Sequence, residues 1–303
     1  MISVSSKKRD AFNNINVHFD YKQAIRSTLF HNVFSKLFEI QLADTPEKVE
    51  DAHRIRYKVF CEEHEGYERP EDHKNGLELD TYDDHADHAL LIFKPEQKTI
   101  GTVRVIRPNE SKPHESFPMQ KICNSQYLHD TMYINSSCEF SRLCISNEIR
   151  GRIKDDLKTK SNAFKFGFNS TFKPYERPLL SKALGAAPLG LISGAFDLTV
   201  KQHMLNVFGI MEPKYINRLE KAGLVHQQIG PEIEYHGRRT PFLCNVLEVL
   251  ENAADKAPEF WSVVSNKGKM HSCAKDVFEA HNLFDSQIAR HSYPRPSYGF
   301  AMQ

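Results

Sequence analysis

The stretch Tyr133–Ser146, YINSSCEFSRLCIS, constrains this chain more than any other. Apolar and polar residues alternate as in a strand, yet Glu139 and Arg142 stand three apart among Phe140, Leu143, Cys144 and Ile145. A carboxylate and a guanidinium inside a buried strand are costly unless paired and hydrogen-bonded. Such a pair more often belongs to a site, or to a polar network beneath one, than to ordinary core. A strand-end ion pair on the surface is the bland alternative.

The flanking sequence supplies supports for this strand. From Tyr21 to Leu37, Ile25, Leu29, Val33 and Leu37 recur every four residues beside Phe30 and Phe34, which predicts an amphipathic helix packed on the domain. Phe38–Ala43 reads as a strand, and Thr45-Pro46-Glu47 as a helix start with a capping hydroxyl, a first-turn proline and a carboxylate. That helix turns Val49, Ala52, Ile55 and Val59 inward, with Arg56 beside the stripe and free to snorkel outward. Glu62–Asp87 is polar and acidic, too long for a tight turn, and reads as a functional loop.

Ala86–Phe93 and Thr99–Ile106 are the next strands, and Arg104 interrupts the second. Pro108–Met132 is irregular, Asn147–Lys160 is basic, and Ser161–Ala187 is a long insertion. Pro188–Met204 reads as a buried helix, Asn206–Met211 as a short strand, and Pro213–Ala222 as a helix closed by Gly223. Val225–Gly230 and Pro241–Val249 complete the strands, and helices are expected around Ala257–Val264 and Lys275–Ala289. The order predicts an α/β protein with one mixed, mostly antiparallel sheet flanked by helices. Residues 1–37 form an N-terminal helical extension, 38–250 the principal domain, and 251–303 a C-terminal helical extension and tail.

Forty Lys and Arg against 39 Asp and Glu leave a net charge of +1, so nothing draws the whole chain to nucleic acid or to a membrane. No segment approaches the roughly 20 apolar residues of a membrane span, and no apolar run follows Lys7, Lys8 and Arg9 as in a secretory signal. Six cysteines without a C-x-x-C pair fit the reduced, buried thiols of a cytoplasmic protein.

Two constellations carry chemistry. In Glu78-x-Asp80-x-x-Asp83-Asp84-His85-x-Asp87-His88 the carboxylates and imidazoles are dense, but no metal-site spacing appears and no metal is expected. Pairing with Arg56, Arg104 and Arg142 is the better use, locking loop, helix and strands around a polar cleft for an amine. Arg150, Gly151, Arg152 and Lys154, with Lys158 and Lys160, follow the central strand and suit a phosphate or an acidic partner. A solvated charged face is the alternative there. No G-x-S-x-G elbow is present.

Together these residues resemble the GCN5-related N-acetyltransferase (GNAT) superfamily. More narrowly, they are similar to its branch of acyl-homoserine-lactone synthases and N-acyl amino acid synthases. The early Arg-x-x-x-Phe falls on Arg56 and Phe60, and the acidic E-x-D-x-x-D on Glu78, Asp80 and Asp83. G-x-x-R falls on Gly101 and Arg104, a downstream Phe on Phe117, and E-x-S-R on Glu139, Ser141 and Arg142. Later motifs, MEPKYINRLEKAGL and EYHGRRTPF, look like acyltransferases associated with the PEP-CTERM/exosortase protein-sorting system.

The resemblance implies a GNAT-like fold with a splayed central strand pair and a fatty acyl transfer from an acyl carrier protein, or from acyl-CoA, to the amine of an amino-acid-type acceptor. It implies no permanently bound cofactor. Glu139, Arg104 and Arg142 would be catalytic, with Glu139 the first candidate base. Arg56, Phe60, Glu78, Asp80, Asp83, Phe117 and Ser141 would bind substrate, and Arg150, Gly151, Arg152 and Lys154 the donor's carrier. Three departures stand out. The phosphate loop is replaced by Glu148-Ile149-Arg150-Gly151-Arg152, which favours a carrier-protein donor. Leu219 stands where relatives carry a general-acid Tyr, with Tyr215 one turn away. Tyr67 lies near the place of a Trp common in autoinducer synthases. A non-catalytic acyl-ligand or carrier-binding protein, and a metal-dependent hydrolase using the Asp/His loop, are the competing readings.

Overall fold

Among the described residues, eight strands form one sheet in the order β1-β2-β3-β4-β5-β8-β6, with β7 paired to β8. They are β1 (Phe38–Leu42), β2 (Ala86–Phe93), β3 (Lys98–Ile106), β4 (Ser137–Ile145), β5 (Asn206–Met211), β6 (Gln227–Gln228), β7 (Ile233–Glu234) and β8 (Arg238–Asn245). Every pairing is antiparallel except β4 with β5. The computed structural model describes residues 21–64, 67–148, 150–151 and 171–284.

Helices α1 (Tyr21–Leu37) and α2 (Pro46–Tyr57) bracket β1, and α3 (Thr131–Asn135) precedes β4. Then follow α4 (Leu180–Gly185), α5 (Ala187–Lys201), α6 (Pro213–Lys221), α7 (Val246–Lys256), α8 (Pro258–Val264) and α9 (Lys269–Phe284). The apolar α5, buried along most of its length, packs on β1 through β4. With α1, α7 and α8 it closes the main core around Phe30, Phe34, Leu91, Val103, Phe196 and Leu250. A second core, around Ile106, Phe117, Met119, Ile134, Phe208 and Leu243, gathers the irregular segment before β4. Among the described residues, no single helix is long and apolar enough to cross a membrane.

Several elements differ from the sequence reading, and local capping explains most of them. The strand predicted over Tyr133–Ser146 begins only at Ser137, because Asp130 accepts the Met132 N–H at 2.8 Å and starts α3. The strand predicted over Pro241–Val249 ends at Asn245, whose side chain accepts the Leu247 and Glu248 N–H groups and opens α7. Val225–Gly230 contributes only the two residues of β6. In α1 the buried face is Phe30, Val33, Phe34 and Leu37, and Ile25 is exposed.

The polar segment predicted over Glu62–Asp87 is a series of short helical turns that merges into β2 at Ala86. The second tail helix starts earlier than predicted, at Lys269. The basic stretch 152–160, the first part of the Ser161–Ala187 insertion (residues 161–170) and residues 1–20 lie outside the described residues.

Candidate active site

Helix α2 opens as its sequence predicts, with Thr45 Oγ1 accepting the Lys48 N–H at 3.4 Å. It closes into a π-helical turn, Lys58–Glu63, a distortion that often marks functional segments. Arg56 does not snorkel: it is fully buried. Its Nε donates to Glu78, and Nη1 and Nη2 grip the two oxygens of Asp83 at 2.7 and 3.1 Å. Arg104, also fully buried, clamps Asp80 in the same forked way at 2.7 and 3.1 Å, reaches Asp83 at 3.0 Å, and donates Nε to Ser141 Oγ at 2.9 Å. Two planar guanidiniums thus face two carboxylates in the geometry that suits both partners.

Arg142 joins the same network, as its sequence setting suggests: it binds Glu78 at 3.0 Å and Glu68 at 2.9 Å, with Asp80 at 3.6 Å, and Asp83 is left to the other two arginines. The loop holds its own shape: Asp80 accepts the Tyr82 N–H and Asp83 the Asp80 N–H, both at 2.8 Å. Burial alone would push the Glu78, Asp80 and Asp83 carboxyls up. Arginines outweigh it at Glu78 and Asp80, and at Asp83 His53 and His88 do so together with Arg56, so all three lie below the ordinary carboxylate range.

Glu139 lives in the opposite environment. It does not pair with Arg142. Its carboxylate accepts the Met119 N–H at 3.1 Å, and its sheet neighbours are Ile106 and Phe208. Phe117, fully buried, packs its ring 5.8 Å from Phe208 on that side. Burial drives the Glu139 carboxyl up to about 8; the Met119 N–H and the more distant charges of Arg104 and Arg142 pull the other way and are outweighed.

The sheet opens beside this residue. The β4–β5 ladder runs from Ser137↔Asn206 to Phe140↔Gly209 and stops, while β4 continues to Ile145 and β5 to Met211. Phe140 to Leu143 are the half-buried part of β4. On its other edge β4 carries a bulge, since Thr102 pairs with Cys144 but Arg104 pairs with Ser141. Arg142 absorbs the extra residue with φ of 51°. A bulge re-aims a side chain, and here it turns Arg142 to the acidic loop. Gly101 lets β3 approach this segment: a Cβ there would lie 2.6 Å from the Cys144 carbonyl oxygen.

At the far end of β4, Glu63 receives the Ser146 hydroxyl at 2.5 Å and the Asn147 N–H at 2.7 Å, so a carboxylate caps the helical turn that follows. Arg150 and Gly151 lie in that turn, and Arg152 and Lys154 fall outside the described residues. Leu219 packs against the main core, and Tyr215 is exposed with the Lys214 ammonium 5.0 Å from its ring centre.

The thiols offer no nucleophile near the splay. Burial pushes Cys61 up to about 11 and Cys138, Cys144 and Cys244 up to about 12. His53, Asp83 and His88 approach one another closely enough to suggest a metal site. The cation there is Arg56: its Nη1 lies 2.7 Å from Asp83 Oδ1 and 3.2 Å from His88 Nε2, facing the lone pairs an ion would need. Burial and the charge of Arg56 hold His88 below the ordinary imidazole range against the opposing pull of Asp83.

The sequence reading missed Glu63 and Glu68. Both lie in a charged run, CEEHEGYE, in which no spacing separates a cap or a network anion from a solvated carboxylate.

Residues 55–157 match the model of the acetyltransferase (GNAT) domain. All the residues named above as catalytic, substrate-binding or donor-binding lie within that span, and the mixed, mostly antiparallel sheet flanked by helices is GNAT-like. The L-ornithine N(alpha)-acyltransferase of Rhodobacter capsulatus is 31% identical over 123 residues, which cover 38% of this chain. The match spans 45% of that relative's length.

Among solved structures, TofI in a ternary complex with an inhibitor and MTA is similar with a TM-score of 0.48 and 13% identity, over 74% of this chain and 99% of that one. The CoA-dependent acyl-homoserine lactone synthase BjaI with SAM and isopentyl-CoA gives 0.45 and 14%, over 80% and 99%. FeeM, an N-acyl amino acid synthase from uncultured soil microbes, gives 0.42 and 14%, over 71% and 94%.

Proposed function

We propose that this chain is an N-acyltransferase that moves a fatty acyl group from a thioester to the amine of an amino acid or a compound derived from one. The observation that carries this reading is Glu139, a buried carboxyl raised to about 8 at the point where β4 and β5 part. The match of the surrounding segment to an acetyltransferase domain and the partial likeness to an ornithine acyltransferase support the same class.

In this mechanism the thioester lies in the splay. Backbone N–H groups of β4 beyond Phe140 have no β5 partner and can polarise the carbonyl and hold its oxyanion. The neutral amine adds to the carbonyl carbon, a C–N bond forms, and the C–S bond breaks. Glu139 takes the amine proton, directly or through water, and the departing thiolate is protonated to a thiol. A raised pKa makes Glu139 a stronger base than an ordinary carboxylate, suited to an amine. Arg56, Arg104, Arg142, Glu78, Asp80 and Asp83 shape the acceptor side. Holding donor and amine together can supply roughly 7–11 kcal/mol of the barrier reduction.

A carrier-protein donor is favoured over coenzyme A. The Glu63 carboxylate already occupies the amide end of the turn after β4, where a phosphate would otherwise sit, and Arg150, Arg152 and Lys154 offer cations to an acidic carrier. An association with a PEP-CTERM/exosortase system and a cytoplasmic location belong to the same reading.

The test is direct. Purified protein is incubated with acyl carrier protein or coenzyme A thioesters of several chain lengths and a panel of amino acids, and products are read by mass spectrometry. The reading expects an N-acyl amino acid, formed faster from the carrier-protein thioester. No N-acyl product from either donor would overturn it.

A further inference from the structure

A three-residue turn, Tyr235-His236-Gly237, joins β7 to β8. Its conformation is specific. His236 has φ of 48° and Gly237 φ of 92°, so two successive residues are left-handed, and the second position suits glycine. Ile233↔Arg239 and Glu234↔Arg238 pair on either side. Arg239 donates Nη2 to the His236 carbonyl at 2.5 Å and lies 3.5 Å from Glu212, the residue that directly follows β5. The turn is thereby tied to the end of the β5 lip of the splay.

From the opposite lip, a column of flat groups reaches toward it. The Arg142 guanidinium lies over the Phe60 ring at 5.6 Å, Phe60 stacks on Tyr67 at 4.9 Å and 27°, and Tyr67 stacks on His236 at 4.3 Å and 22°. Arg142 belongs to β4, Phe60 to the π-helical turn after α2, Tyr67 to the acidic segment and His236 to the β7–β8 turn. Glu68, beside Tyr67, is bound by Arg142, and its N–H bonds to the Phe60 carbonyl at 3.2 Å. Stacked rings therefore join β4 to the turn that Arg239 ties to the residue after β5. His236 is the solvent-facing member, and Tyr67 is half-buried beneath it.

We propose that His236 is a positioning residue that, through Tyr67, straps the mouth of the splay and keeps water from the thioester. The proposal rests on the acyl-transfer reading above. Water and amine compete for the same carbonyl. Attack by water breaks the C–S bond to release a fatty acid and a thiol, and attack by the amine gives the amide and the same thiol. A strap that excludes water while the amine is bound favours the second outcome. A lost aromatic pair corresponds to about a two- to tenfold change in the closed population.

The experiment measures both products, fatty acid and N-acyl amine, from one acyl carrier protein thioester for wild type, His236→Ala and His236→Phe. Nitration of Tyr67, mapped by peptide mass spectrometry, reports the cover directly. In His236→Ala the ratio of hydrolysis to transfer rises about two- to tenfold, the KM for the amine rises more than kcat falls, and Tyr67 nitrates faster; His236→Phe restores all three. A wild type that transfers normally, with an unchanged product ratio in His236→Ala, overturns the strap and leaves the acyl-transfer reading standing. Tyr67 nitration unaffected by either substitution also overturns it. A wild type that transfers nothing overturns the reading itself, and the strap's role with it.

Discussion

Glu139 and the Asp80–Asp83 pair are carboxylates held by adjoining strands and loops, yet their surroundings treat them oppositely. Asp80 and Asp83 are saturated by forked arginines and held low, whereas Glu139 has an N–H from Met119, apolar neighbours and a carboxyl raised to about 8. Desolvation acts on all three, and local partners decide the outcome. The difference separates two jobs: a saturated carboxylate holds a scaffold, and an under-partnered one can exchange a proton near neutral pH.

Removing a cation from the saturated set has the largest effect on stability. Arg56→Ala leaves Glu78 and Asp83 buried without their main partner, and a loss of about 3–5 kcal/mol is expected in urea unfolding. Glu139→Gln tests the other side of the comparison: it stays folded, and the acyl-transfer rate falls by about 10²- to 10⁴-fold. If both substitutions unfold the protein and neither isolates the chemistry, the separation fails.

Gly101→Ala probes the geometry between the two sets. Its Cβ would press on the Cys144 carbonyl and force β3 from the bulge that aims Arg142, costing about 1–3 kcal/mol in unfolding and lowering activity.

The pH dependence of stability carries opposite signs for the two sets. Glu139 has a folded pKa of about 8, above its ordinary 4.5, so the folded state keeps a proton that the unfolded chain releases. Its contribution is greatest below pH 4.5 and is lost as pH rises to about 8, with a slope of at most about 1.4 kcal/mol per pH unit. Glu78, Asp80 and Asp83 are depressed, so theirs is present above the ordinary carboxylate pKa and lost as pH falls through their lowered values. Unfolding of Glu139→Gln followed from pH 8 down into the acid range should lack the first slope, between 4.5 and about 8, and keep the second, which begins only below the ordinary carboxylate value of 4.5. The smallest effect is at the thiols: Cys138 and Cys144 should resist alkylation in the folded protein near neutral pH.

Much of this was legible in the sequence. Period and capping signals located α1, α2, β2, β3, β5 and α6, and the arginines read as costly in an apolar strand led to their acidic partners. Other features depend on tertiary context. Arg56 lies beside an apolar stripe, where snorkelling and full burial leave the same pattern; burial wins because Glu78 and Asp83 converge on it. Asn245 caps a helix where an apolar run suggests a longer strand. Glu139 and Arg142, three apart, look like partners, but the bulge at Arg142 sends them to different surroundings. The stack of Tyr67 on His236 joins residues 169 positions apart by their numbering, and no local pattern announces it.

The central claim is that the raised carboxyl of Glu139 is the base for amine attack. The pH–rate profile of N-acyl transfer at saturating donor and amine tests it most directly, with Glu139→Gln run alongside. The account predicts a rate that climbs with an apparent pKa near 8 in the wild type and a slow variant without that limb. A variant with the wild-type rate and the same limb would contradict it.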